Sequence, residues 1–310
     1  MKKFINITFC IGFLLFGFIS CDKVEQPVKP IIDIDTTLFT DGNWADYPMP
    51  VFPINTNTNR NVLIEDYTGH KCPNCPAAAT VAADIETANP DRVFVVSIHA
   101  GAGGDDSFQA LNSNCGDAIA NPDNEFCYDF RTNEGTEYGI KFQPFGFVGN
   151  PYGNVNRITF NDVMFQFHTS WVAKTDEVIT ENDLKVNLQA ISNYYLASNG
   201  IYLHIKAEFL EDLTGNFSIV TYVIDNQIIE WQDNSGTYDE HYHHHNVLLG
   251  TIDELTWGQS LATNPSAGDV FQTDYAYELP SDLTNDSIHF ISYVYDVDSY
   301  EILQVIKHEF

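Results

Sequence analysis

An α/β segment followed by an antiparallel all-β segment is the fold class the sequence predicts, and three observations carry it. Gly69-His70-Lys71-Cys72-Pro73-Asn74-Cys75-Pro76 follows the apolar stretch Val62-Leu63-Ile64, opens into the helix-forming segment Ala77 to Ala88, and is succeeded by the β-rich run Arg92 to His99. Further on, Phe145 to Val148 and Val155 to Phe160 read as antiparallel strands. Asp162 to Val178 reads as a closing helix, with Phe165, Trp171, Val172 and Val178 at mostly helical spacing. From about Glu181 the texture changes to short alternating strands with turns at Ser198-Asn199-Gly200, Leu213-Thr214-Gly215-Asn216 and Asp233-Asn234-Ser235-Gly236. Seven strands, Leu184 to Ile191, Ile201 to Phe209, Phe217 to Ile229, His243 to Ile252, Val270 to Leu279, Ile288 to Asp296 and Ile302 to His308, fit a β-sandwich of immunoglobulin type.

The C-x-x-C at the strand-to-helix junction is the layout of a redox dithiol. The partial positive charge and free N–H groups of a helix N-terminus stabilise a thiolate, so Cys72 is the candidate nucleophile and Cys75 the resolving thiol. Alone, the motif fits a zinc site or a plain structural disulfide almost as well. No second C-x-x-C or Cys/His pair stands at finger spacing, which disfavours zinc. Asp66, six residues before Cys72, matches the buried acid of thioredoxin-like proteins, and the segment Tyr138 to Val148 around Pro144 is similar to their cis-proline strand. This resemblance implies a thioredoxin-like domain with an insertion from about Gly101 to Glu137, and a cis Gln143 to Pro144 bond beside the dithiol. Lys71 stands where thioredoxins usually carry tryptophan, and Pro-Asn replaces Gly-Pro between the cysteines. A cation beside Cys72 favours its thiolate.

Residues 1–20 read as a signal peptide: Lys2 and Lys3, then the apolar stretch Phe9 to Phe18, then Phe18-Ile19-Ser20-Cys21, which resembles a bacterial lipobox. Cys21 is then the acylated first residue. Residues 21–59, rich in Pro, Asn, Thr and Asp, form a tether or irregular arm whose Trp44, Tyr47 and Phe52 are expected to pack onto a domain. The thioredoxin-like domain occupies 60–181 and the β-sandwich 182–310. Cys115 and Cys127 are expected to staple the insertion around the turn Asn121-Pro122-Asp123-Asn124, since export to an oxidising compartment permits disulfides. A formal charge of -29 repels nucleic acid and anionic membrane, leaving the lipid to hold the protein to its membrane.

His241, His243, His244 and His245 cluster near one strand start. On a strand His241, His243 and His245 share a face, a spacing compatible with a transition-metal site, while His244 points the other way. The competing reading is local hydrogen bonding or solvent exposure. Asp105-Asp106 and Asp239-Glu240 are acid pairs without the spacing of an EF-hand loop, so a divalent cation is the one cofactor weighed and none is required. His70 is a candidate modulator of the thiol, with loop packing as the alternative. The chain carries no G-x-S-x-G, Walker loop, Rossmann fingerprint or H-E-x-x-H.

The lipobox, the Glu65 to Pro76 segment, the Phe142 to Val148 segment and the run His243-His244-His245-Asn246-Val247-Leu248-Leu249 together resemble the outer membrane protein 28 family of Bacteroidota lipoproteins. The resemblance runs from about Asn61 to the C-terminus. It implies a lipid-anchored, surface-exposed outer-membrane protein that binds a protein or glycan partner in the manner of an adhesin or receptor. The alternative is a thiol-disulfide oxidoreductase acting on exported proteins through Cys72 and Cys75.

Overall fold

The computed structural model describes residues 34–100, 107–113, 115, 125–142 and 151–310. Cys21, Pro144 and the strand expected at Phe145 to Val148 lie outside the described residues. The described chain is mostly β, with one mixed sheet, one antiparallel sheet and few helices.

Strand β1 (Val62–Thr68) leads through the C-x-x-C turn into helix α1 (Cys75–Ala88), which returns to β2 (Val93–His99) parallel to β1. Every residue of β1 is buried, as befits a strand covered on both faces. Alternation along it sends Val62, Ile64 and Asp66 toward α1, and Leu63, Glu65 and Tyr67 to the opposite face. Helix α2 (Asn133–Phe142) is the first correction: Tyr138 to Phe142, expected within a strand, are helical. Thr132 Oγ1 accepts from the Gly135 amide at 2.9 Å, an N-cap, and Tyr138 and Phe142 stack one turn apart over the Arg157 guanidinium.

Strand β3 (Tyr152–Val155) is antiparallel to β1, and Gly153 lets it approach: a Cβ there would stand 2.4 Å from the Glu65 carbonyl and 2.5 Å from the Trp171 ring. The short β4 (Gln166–Phe167) precedes α3 (Trp171–Glu181), so the closing helix starts nine residues later than the expected Asp162. The left-handed Asn161 and Asp162 and the Phe160–Val163 bridge occupy the stretch before it.

The remaining strands are β5 (Val186–Tyr195), β6 (Gly200–Phe209), β7 (Asn216–Asn234), β8 (Thr237–Thr251), β9 (Gln259–Thr263), β10 (Val270–Glu278), β11 (Ile288–Asp296) and β12 (Ile302–His308). All seven expected strands form, and β9 is an addition. Their sheets differ from a self-contained sandwich. β10-β6-β5 make a small antiparallel sheet, whereas β12-β11-β7-β8 continue through β2 into β1, β3 and β4, with β9 beside β7. The segments either side of residue 181 thus share one sheet, joined by the parallel Ser97–Val247 bridge. Ile201, Leu203, Ile205 and Phe209 of the small sheet face Ile219, Val223, Phe290 and Val294 of the large one. The outer face of the small sheet is covered by the arm: Leu38, Phe39 and Tyr47 pack on Tyr195 and Tyr202, and Lys206 lies over Phe52.

Behind β1 lies a buried ion pair. Glu65 Oε1 accepts from Arg157 Nη2 at 2.6 Å and from the Tyr222 hydroxyl at 2.9 Å, while Oε2 accepts from Arg157 Nε at 2.9 Å and Asn154 Nδ2 at 2.7 Å. The Tyr293 hydroxyl, 2.9 Å from that of Tyr222, completes the group. Removing one member of such a pair strands the other in low dielectric, whereas replacing both with apolar groups often costs little. Arg157→Met is therefore expected to lower stability by about 3–5 kcal/mol, and adding Glu65→Leu should recover at least half of that. Arg157 has φ 52°, which Met tolerates no better and no worse than Arg, so urea unfolding of the two variants reports the side chains. A double variant as unstable as the single one would contradict the assignment.

Candidate functional site

The C-x-x-C turn is built by local hydrogen bonds. The Cys72 amide donates to the Gly69 carbonyl at 3.0 Å, and the Cys75 amide to the Cys72 carbonyl at 3.2 Å. Gly69 is required by crowding, since a Cβ would meet the Gln109 amide at 2.4 Å and the Phe108 carbonyl at 2.9 Å. Cys72 and Cys75 are joined as a disulfide, and Cys115 pairs with Cys127 as expected for the insertion. Lys71 is turned away from the thiols: its Nζ donates to Asn112 Oδ1 at 2.9 Å and lies over the Phe126 ring. The electrostatic help expected for Cys72 is therefore directed into the insertion.

The hairpin of β7 and β8 closes over this turn. Asn234 pairs with Thr237 across a two-residue loop, Ser235-Gly236, with φ 57° and 84°, the backbone of a type I′ turn. The tip sits on the cysteine loop: the Asp233 amide donates to the His70 carbonyl at 2.7 Å, the Ser235 amide to the Pro73 carbonyl at 3.0 Å, and Gln232 Nε2 to the Cys72 carbonyl at 3.0 Å. Cys72 is left 1 % exposed and Cys75 2 %.

Asp66 lies beneath, on the α1 side of β1. It is buried, both carboxyl oxygens lack a partner among the described residues, and burial pushes its pKa up to about 7. Beside it the sequence reading missed a group of histidines. His70, His99 and His244 are buried around Phe130, with ring centroids 5.6, 4.3 and 4.5 Å from it. Burial, then the Lys71 charge, lowers His70 to about 4; burial, then His70, lowers His244 to about 3; burial, then His244, holds His99 well below 6.5. His70 thus packs the loop as a neutral ring. His244 does point opposite to its neighbours, as β-alternation requires, but nothing in the sequence tied it to His99, 145 positions earlier.

His241, His243 and His245 are exposed on β8. His243 Nδ1 bonds Gln227, and His241 approaches Glu240 at 3.7 Å. Among the described residues no three His, Cys, Asp or Glu side chains are grouped to hold a metal ion, so the expected three-histidine site is not assembled. Pro144, expected beside Cys72, lies outside the described residues.

The three neutral histidines tie stability to pH. Once unfolded, each ionises near 6.5, so below that pH the unfolded chain binds more protons than the folded one and stability falls as pH drops toward 4. Asp66 works in the opposite direction: folded, it keeps a proton between pH 3.8 and about 7 that the unfolded chain releases, so its contribution declines as pH rises through that window. Urea titrations from pH 7 to 4.5 should show stability falling on acidification, with His99→Phe shallower by up to about 1.4 kcal/mol per pH unit. Asp66→Asn should raise stability at pH 8. An unchanged slope in His99→Phe would mean that His99 protonates in the fold.

With 14% identity and a TM-score of 0.59, HBP35 of Porphyromonas gingivalis is similar over 81% of this chain and 75% of its own. A domain of the outer membrane lipoprotein Omp28 from Porphyromonas gingivalis matches at 19% identity over 41% of this chain and 88% of its own, with a TM-score of 0.28. The first of these likenesses concerns the fold alone. No curated protein matches the chain. The family pattern of outer membrane protein Omp28 matches residues 140–310, from α2 to the C-terminus and therefore across the hairpin that covers the cysteines. The chain belongs to the outer membrane protein Omp28 family.

Proposed function

We propose that the protein is a surface-exposed lipoprotein, anchored through lipid on Cys21, that works as a binding or assembly protein of adhesin type on a thioredoxin-like scaffold. Its outer-membrane location follows from the family. Among the described residues no helix is long and apolar enough to cross a membrane. The observation that carries the reading is the closure of the Cys72–Cys75 disulfide under the β7–β8 tip. An oxidoreductase has to present one sulfur to a protein substrate, and here both cysteines are buried beneath three hydrogen bonds from residues 232, 233 and 235. Strand β1, α1, β2 and β3, with the C-x-x-C at the helix start, support the thioredoxin-like part of the reading.

A second reading, thiol-disulfide oxidoreductase, is favoured by Asp66, a buried acid without a partner among the described residues that lines the same cavity as Cys75. In that case a substrate thiolate attacks the Cys72 sulfur, the disulfide breaks, and the departing Cys75 thiolate takes a proton from Asp66.

Two measurements separate the readings. In the folded protein the Cys72–Cys75 disulfide is expected to survive millimolar dithiothreitol and become alkylatable only on adding urea, and Cys75→Ser should trap no mixed disulfide at Cys72. Ready reduction together with trapped substrates would install the enzyme reading. Crosslinking on intact cells should capture a protein or polysaccharide, and recovery of lipid alone would defeat the binding reading.

A further inference from the structure

Helix α1 and the first part of β8 flank a groove of about 470 Å³. Its floor holds three buried polar side chains from three different strands: Asp66 of β1, His99 of β2 and His244 of β8. Among the described residues, both oxygens of Asp66, both ring nitrogens of His99 and Nε2 of His244 find no hydrogen-bond partner. Buried polar atoms are rarely left unmet, so this floor is arranged for an occupant that meets them. The other ring nitrogen of His244 is engaged by the backbone of Trp231 and Glu230, which leaves Nε2 as a lone-pair acceptor. Neutral His99 offers one acceptor and one donor, and Asp66, ionised above about pH 7, then accepts on both oxygens.

The floor is thus rich in acceptors and poor in donors. One wall is chemically different: Pro76, Ala79 and Ala83 of α1 are small and apolar. Asp239 lies along the opposite wall, on a chain of formal charge -29. An anion is repelled by all of this. A bare metal ion lacks a grouped ligand set among the described residues. A cation carrying several donors on an aliphatic stem matches both floor and wall.

We propose that this groove binds a primary alkylammonium group, with the NH₃⁺ meeting Asp66, His99 and His244 and the methylene stem lying along Pro76 and Ala79. An ammonium has three donors and no acceptor, the complement of the floor. A lysine side chain of a protein partner and a free amine present the same chemistry. The inference names the ligand chemistry of the binding reading and rests on it.

The test uses the full-length lipoprotein in detergent at pH 8, where Asp66 is ionised, titrated calorimetrically with butylammonium, with 1-butanol as an uncharged counterpart, and with a capped tripeptide bearing a central lysine. Butylammonium should bind at least about tenfold more tightly than 1-butanol and shift the ring resonances of His99 and His244. Asp66→Asn, close in shape but uncharged, should weaken it at least about tenfold. Ala79→Phe, which fills the groove from its partly exposed wall, should abolish binding, and urea midpoints confirm that both variants fold. A tripeptide tighter than butylammonium assigns the group to a partner's lysine, and equal affinity assigns it to a free amine. Equal binding of butanol and butylammonium, or an Asp66→Asn protein that binds unchanged, overturns the proposal. A protein that binds butylammonium yet captures nothing on cells refutes the surface-binding reading alone; capture on cells without butylammonium binding refutes the groove alone.

Discussion

The Glu65–Arg157 pair is the constraint on which the rest of the architecture depends. Both side chains are fully buried, and the carboxylate is met by four donors from β3, the turn after it, and β7. The guanidinium in turn lies within about 5 Å of the Tyr138, Phe142 and Tyr293 rings, so α2 and β11 are fixed around the same charge. A satisfied buried pair contributes little net stability, yet any rearrangement that separates its members is costly. Its effect is to fix how the α/β segment and the later strands meet, and so to make one sheet out of two stretches of sequence. The stitching of residues 59–61 to β12 reinforces this: the Asn61 amide donates to Gln304 Oε1 at 2.8 Å and Arg60 Nη2 to Glu301 at 2.7 Å.

Adjacent residues of β1 show how environment divides two similar acids. Glu65 faces the tyrosines and has every lone pair met. Asp66, one residue on, faces α1 and has none met by the described residues. The alternation of a strand places them back to back, so a structural charge and a chemically available one sit on opposite faces of a single peptide. The unmet group is the one that opens onto a groove.

Much of this was legible in the sequence where the signal is local. The apolar run at Val62, the C-x-x-C, the alanine-rich helix and the Asn-Ser-Gly turn each act through neighbours a few residues away, and β1, α1, β2 and the β7–β8 turn form where those signals stand. The seven later strands were legible for the same reason. Their partners were not. Continuity of β8 with β2 depends on a single bridge, Ser97 to Val247, and β-alternation looks the same whether a sheet ends or continues. The five-residue β9 has too little apolar run to stand out beside its turns. Tyr138 to Phe142 went into a helix because Tyr138 and Phe142 cover Arg157 from one helical face, a partnership invisible without the fold. His99 and His244 meet for a like reason: each reads alone as an ordinary strand residue, and only the sheet brings their rings to 5.6 Å.

The hairpin that covers the cysteines is made of residues translated about 160 positions after them. In order of synthesis, Cys72 and Cys75 therefore precede the segment that encloses them. Once residues 232–235 are seated, an external thiol or oxidant reaches the pair only when the hairpin tip lifts off the cysteine loop, so exchange at this disulfide is tied to the opening of a strand pair far away in sequence.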